Sequence, residues 1–204
     1  GSSDLLKKKL NPVRHTSIIE DPVRGIRAVR YATDLGLKID KETIGLIEEA
    51  IQRLDDVSVE RKRDEIFKVL SGKHIASAIL LFKRFNVLNS VGLYAREDLD
   101  VTARFLQELD QYIRIVCRKS NAQLNQSFFN TSLMFRLDRF SEQLNCHFFH
   151  FEPSGRNHKS LLLFSGLFTK LPGDGLQEML RRFALSSSEV EAVVKMVDGR
   201  EEII

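Results

Sequence analysis

The chain has 204 residues, 43% of them hydrophobic and 29% charged, with a formal net charge of +3. That balance suits one or two domains with a sizeable core and excludes a polybasic tail or an acidic disordered chain. With only 2 cysteines, Cys117 and Cys146, in unrelated contexts, it also excludes a disulfide scaffold.

Other exclusions follow from composition. The strongest apolar run, Leu161 to Leu167, is far short of the roughly 20 residues needed to cross a bilayer. No secretory leader is read in this stretch, so a reduced, cytoplasmic setting away from the membrane is expected. The chain has no Trp and 3 Tyr against 14 Phe, which reads as core filling more than base stacking. The mild positive charge is compatible with a surface that faces RNA.

Helical patterns follow one another almost throughout. The expected fold class is all-α, a multi-helix bundle array. Gly1-Ser2-Ser3 reads as an expression scar, and Lys7-Lys8-Lys9 as a solvated turn. Glu20-Asp21-Pro22-Val23-Arg24 then opens the first clear helix. Asp21 suits the N-cap, its carboxylate accepting from free backbone N–H groups, and Pro22 suits the first helical position. Gly36 ends the helix. Arg24 lies three residues beyond Asp21, so both side chains can point from one end of the helix into a single cleft. Arg27 and Arg30 continue the basic row. A carboxylate that accepts beside a guanidinium that donates can read the Watson–Crick edge of a base.

A second helix is expected over Asp40 to Leu54, capped by Asp40, with Ile44, Leu46, Ile47, Ile51 and Leu54 at helical spacing. Asp55 and Asp56 form a turn. Ser58 then caps a helix with Glu60 in its first turn and Ile66, Val69 and Leu70 on the buried side. A helix over Ser71 to Phe85 follows, with Asn86 to Ser90 as a break. Asp98 to Arg118 reads as a long helix capped by Asp100, and Ser127 to Leu144 as another, its apolar set including Phe129, Leu133, Phe135, Leu137 and Phe140. Pro153-Ser154-Gly155 marks a loop. His158 to Lys170 reads as a strongly apolar helix, and Leu171 to Gly175 as a second break. Two short helices, Leu176 to Phe183 and Ser187 to Val197, close the chain, the latter capped within Ser186 to Ser188.

The passage from Leu10 to Leu70 resembles the neck of the bacterial class II tRNA nucleotidyltransferases and poly(A) polymerases. The resemblance is carried by His15 to Ile19, then Glu20-Asp21-Pro22-Val23-Arg24-Gly25-Ile26-Arg27-Ala28-Val29-Arg30-Tyr31-Ala32. It continues through Leu35-Gly36-Leu37-Lys38-Ile39-Asp40 and Thr43 to Val57-Ser58-Val59-Glu60-Arg61, with Glu65 and Leu70. It implies that Asp21 and Arg24 act as a protein template for the incoming nucleotide, with Glu20 and Arg27 beside them. It further implies that Glu60, Arg61 and Glu65 buttress the template helix by ion pairs. A carboxylate accepts from the exocyclic amine of cytosine or adenine, while uracil and guanine present a carbonyl there. An unpaired buried polar group costs roughly 1–3 kcal/mol, which is about tenfold discrimination or better per contact.

The resemblance divides the chain into residues 1–17, the scar and closing strand of a head domain; 18–86, the base-reading neck; and 87–204, a body and tail that grip RNA. Its candidate phosphate contacts are Lys159, Arg181 and Arg182. The family keeps its Mg²⁺-binding carboxylates in the head, which precedes the neck, so no catalytic or metal-binding residue is expected in this stretch. Asp98-Leu99-Asp100 and Arg63-Asp64 have suggestive spacing but the wrong place and surroundings. Cys146, His147, His150 and His158 match no common zinc pattern. The function implied is part of a template-independent nucleotidyltransferase that adds C or A, from CTP and ATP, to the 3′ end of tRNA. Taken alone, the stretch is expected to be inactive. A poly(A) polymerase of the same family, or a non-catalytic RNA-binding or adaptor module, are the alternatives, and the oligomeric state is left open.

Overall fold

In the computed structural model, the described residues are 6–14, 16–117, 137, 139–151, 155–169 and 174–201. They form an array of helices with one minimal sheet. The helices are α1 (Thr16–Glu20), α2 (Val23–Asp34), α3 (Lys41–Gln52), α4 (Val59–Leu70), α5 (Ile75–Arg84), α6 (Val87–Ser90), α7 (Leu99–Cys117), α8 (Ser141–Phe149), α9 (His158–Ser165), α10 (Gly175–Arg182) and α11 (Ser187–Glu201). Strand β1 (Lys9–Leu10) pairs in parallel with β2 (Lys38–Ile39), Leu10 opposite Ile39. The all-α expectation holds, with a short N-terminal strand laid against the first helical layer. Among the described residues no helix is long and apolar enough to cross a membrane.

Each helix boundary has a local cause. α2 ends as Gly36 takes a left-handed φ of +60° and Leu37 N–H donates to the Ala32 carbonyl at 2.8 Å, the closing bond of a Schellman turn. α3 starts where the Asp40 carboxylate accepts from Thr43 N–H at 2.8 Å, a bond that holds the Asp40 pKa below its usual value. α11 opens with a reciprocal capping box. Ser186 N–H donates to Glu189, and the Ser186 hydroxyl accepts from Glu189 N–H.

Other boundaries depart from expectation. Ser58 makes no side-chain cap to α4. Asp98, not Asp100, caps α7, accepting from Asp100 and Val101 N–H at 3.1 Å, while Asp100 pairs with Lys83. The break at Asn86 is a single left-handed residue, φ 54°, after which α6 adds one further turn. α5 begins at Ile75, four residues later than expected, and α9 stops at Ser165. It stops where Gly166 meets α7: a Cβ there would fall 2.4 Å from Leu106 Cδ2. Most of the helix expected over Ser127 to Leu144 lies outside the described residues, as do Pro153-Ser154 and Leu171-Pro172-Gly173. The described end of that stretch is α8, which runs on to Phe149 and carries Cys146 and His147.

One contiguous apolar cluster runs from Val23 to Val197. α2 packs on α3 and α4, α5 lies along α7, and α9 packs on α11. Much of the phenylalanine is core filling, as expected. Phe164 of α9 meets Phe67 of α4 at a centroid distance of 4.7 Å and stacks on Phe183 at 5.9 Å, joining the two ends of the array.

Gly25 explains itself at the α2–α3 crossing. A Cβ added to it would lie 3.3 Å from both Ala50 Cβ and Ile51 Cδ1, so the glycine sets how closely α2 approaches α3. Gly25→Val is expected to destabilise the chain by about 1–3 kcal/mol through overpacking, read as a lowered midpoint in urea unfolding. An unchanged midpoint would mean the helices can part without cost.

Candidate nucleotide-reading site

α2 is amphipathic. Val23, Ile26, Val29 and Ala32 are buried, and Arg24, Arg27 and Arg30 line a second face at three-residue spacing. At its start the expected Asp21 cap is absent: the turn is closed by backbone instead, Arg24 N–H donating to the Asp21 carbonyl and Gly25 N–H to that of Pro22, each at 2.9 Å. Because the main chain closes its own turn, the Asp21 carboxylate is released from capping. Arg24 Nε donates to Asp21 Oδ2 at 3.3 Å. Arg61 Nη2, from α4, donates to both Asp21 oxygens at 2.9 Å. An ionised carboxylate has about four lone-pair sites. Arg61 takes two and Arg24 one, so Asp21 keeps an acceptor site and Arg24 keeps both of its Nη groups as donors.

Glu20 is exposed at the end of α1, next to the pair. Arg27 is turned to a different partner: its Nη2 donates to Glu65 Oε1 at 3.0 Å. Arg30 Nε reaches the other Glu65 oxygen at 3.3 Å, and Lys68 Nζ donates to Oε1 at 2.9 Å. Glu65 is 2% exposed. Burial pushes its carboxyl up, but the hydrogen bonds and charges of Lys68 and Arg27 outweigh that and hold it below the ordinary glutamate value. Arg61 and Glu65 thus meet the expectation that α4 buttresses α2 by ion pairs. Glu60 is exposed.

The candidate phosphate contacts separate. Arg182 is exposed and pairs with Glu178, and Arg181 is exposed on the same helix. Lys159 is different: it is 7% exposed and its ammonium meets the buried Asp110 carboxylate as an ion pair rather than a well-aligned hydrogen bond. Arg114 also donates to Asp110 at 2.6 Å. Lys159 is therefore a neutralised core residue, and RNA cannot reach it here. A lysine inside an otherwise apolar helix was the available sign, because a buried charge needs a partner.

The acidic pairs offer no seat for Mg²⁺. Asp98 caps α7, Asp100 holds Lys83, and Asp64 accepts from Arg63 at 3.0 Å and Arg156 at 3.1 Å. Those donor sets are spent on protein partners, so the residues present do not fit the metal.

The comparisons with known proteins bear on this geometry. Residues 36–92 match a family described as the probable RNA and SrmB-binding site of polymerase A. The chain is 29% identical over 115 residues to an A-adding tRNA nucleotidyltransferase of Geobacter sulfurreducens, covering 55% of this chain and 13% of that one. It is 33% identical over 96 residues to a CCA-adding enzyme of Bacillus pumilus, covering 46% of this chain and 22% of that one. Over these stretches the chain is similar to tRNA nucleotidyltransferases. A solved tRNA nucleotidyltransferase complexed with a primer tRNA and an incoming ATP analog has the same fold over 96% of this chain and 48% of its own, with a TM-score of 0.60 at 22% identity. A second structure, of a tRNA-processing enzyme complex, gives a TM-score of 0.62 at 21% identity, covering 96% of this chain and 45% of its own. The chain thus spans less than half the length of these family relatives.

Glu65 makes the site's stability pH-dependent. Its folded pKa lies below the unfolded value of roughly 4.3, so its contribution is complete above that value and is lost as pH falls through the folded one. Glu65→Gln should cost about 1–3 kcal/mol at pH 7, with charge-assisted hydrogen bonds lost and the cations partly rehydrated. Urea unfolding across pH 3–7 should show the gap from wild type closing on the acid side. A gap independent of pH would mean that packing, not charge, is what Glu65 supplies.

Proposed function

We propose that this chain is the base-reading and RNA-holding portion of a template-independent nucleotidyltransferase that adds C or A to the 3′ end of tRNA. The observation that carries the reading is the Asp21–Arg24 pair at the mouth of α2, clamped from α4 by Arg61. Its remaining acceptor takes the exocyclic amine of cytosine or adenine, and the Arg24 Nη donors reach the neighbouring ring nitrogen or carbonyl. Uracil and guanine set acceptor against acceptor and are refused.

In this reading residues 18–86 serve as the neck and 87–204 as body and tail, with Arg181 and Arg182 on the phosphate-facing surface and Glu20 and Arg27 flanking the template. CTP and ATP are the substrates, and the Mg²⁺ needed to align triphosphate and attacking hydroxyl is held elsewhere in the complete protein. The match to a region described for polymerase A favours poly(A) tailing as the second reading. Product lengths on tRNA and on an unstructured RNA separate the two.

Two outcomes test the proposal. Incubated with CTP, ATP, Mg²⁺ and a tRNA lacking its 3′ end, the chain alone should add nothing, and robust addition would refute that. In the complete protein, Asp21→Ala should narrow the preference for CTP and ATP over UTP and GTP by about tenfold or more while RNA affinity changes little. Unaltered selectivity would count against the template role.

A further inference from the structure

A cleft of about 510 Å³ opens between α4 and the start of α9, lined by Arg30, Lys68, Phe67, Phe151, Arg156 and Asn157 among others. Its charge is not balanced. On one side Arg156 meets Asp64 and the fully buried Glu189, and Arg63 meets Asp64, so two guanidiniums face two carboxylates. On the other side the single Glu65 carboxylate serves Arg27, Arg30 and Lys68, three cations against one anion. Among the described residues two positive charges are left over, and Arg30 and Lys68 both line the cleft. Arg30 gives Nε to Glu65 and lies over the Tyr31 ring, with Cζ 4.5 Å from the centroid, and Lys68 is more than half exposed.

The opposite lip carries Phe151, 63% exposed and held in place by a backbone bridge to Asn157. An exposed aromatic face and surplus cations line the same cleft, and one ligand that is flat and anionic can engage both. An unpaired nucleotide does so, stacking its base on the ring and placing its phosphate on the cations. An acidic peptide would use the cations but leave the ring uncovered.

We propose that this cleft is a second nucleotide subsite, in which one unpaired ribonucleotide stacks its base on Phe151 and rests its phosphate between Arg30 and Lys68. The inference rests on the RNA-handling reading above but not on base selection. Arg24 and Arg30 are six residues apart on α2, about 9 Å along its axis, so a strand can occupy both places at once.

The test is fluorescence anisotropy of the whole chain with a labelled single-stranded heptaribonucleotide and with a blunt RNA duplex. Phe151→Ala should weaken single-strand binding by about 5- to 100-fold, leave duplex binding unchanged and keep the wild-type melting temperature. Lys68→Gln should reduce the slope of log affinity against log salt by about 0.7, the share of one phosphate on a single strand. If the chain binds RNA but neither variant matters, the subsite is wrong and the broader reading stands. If Phe151→Ala loses both RNAs equally, the ring does not stack on a base. If a glutamate-rich peptide displaces the oligonucleotide and binds Phe151→Ala as tightly as wild type, the cleft is a peptide site. If wild type binds neither RNA, the subsite and the RNA-handling reading both fall.

Discussion

A buried carboxylate fixes the rotation of α2. Glu65 lies on α4 with its head group sealed against α2, and it engages two residues there, Arg27 and Arg30, one on each oxygen. The apolar stripe of α2 supplies most of the attraction, but such a stripe tolerates a small roll or slide. Two guanidiniums on one fixed acceptor do not. Desolvating Glu65 is a cost, and a hydrophobic residue of similar volume could give equal or greater stability. What the charge gives is register: with Arg27 and Arg30 pinned, Arg24 is delivered to the end of the helix beside Asp21.

The same helix addresses most of the molecule. Arg61 holds Asp21, Glu65 holds α2, Phe67 packs on Phe164, and Asp64 meets Arg156, which reaches on to Glu189 at the start of α11. Arg63 donates to the carbonyl of Ala184, a residue with a left-handed φ of 57° just past α10. α4 is therefore a spine on which the start of α2 and the C-terminal helices are hung together. Glu189 is fully buried between a guanidinium and its own capping box. Arg156 thus links α4 and α11 through one carboxylate on each, Asp64 and Glu189.

Local signals were legible and distant pairings were not. Gly36, Asp40 and the cap within Ser186 to Ser188 act within six residues of themselves and are placed correctly, while the Glu189 half of the box comes from the structure. Asp21 and Asp98 show the limit of that logic. Both are good capping residues at helix mouths, but Asp98 caps while Asp21 does not: the backbone closes the turn at Asp21, and its carboxylate goes to Arg61, forty residues on. Lys159 and Asp110 lie further apart still, and nothing near either residue names the other. The resemblance supplied what spacing could not, since it ties Glu60, Arg61 and Glu65 to the first clear helix by ion pairs. It had nothing to say about Phe151, whose exposure depends on how the chain returns across α4.

The release of Asp21 from capping is what makes it useful. A capping aspartate spends its lone pairs on N–H groups that never leave, and so could not exchange one partner for a substrate. Here Pro22 carries no N–H, and the next two amides are satisfied by carbonyls within the turn. The carboxylate is left to side chains alone. Arg61 binds it through both oxygens and fixes its plane, while Arg24 touches it through Nε only, which leaves the outer nitrogens of its fork free. One clamp that orients and one partner that shares is the minimum needed to present an acceptor and a donor side by side. Adding a third donor to Asp21 would exhaust its lone pairs, and removing Arg61 would let the carboxylate turn. Both contacts from Arg61 come from one nitrogen, Nη2, which bridges the two carboxylate oxygens and ties the start of α2 to α4.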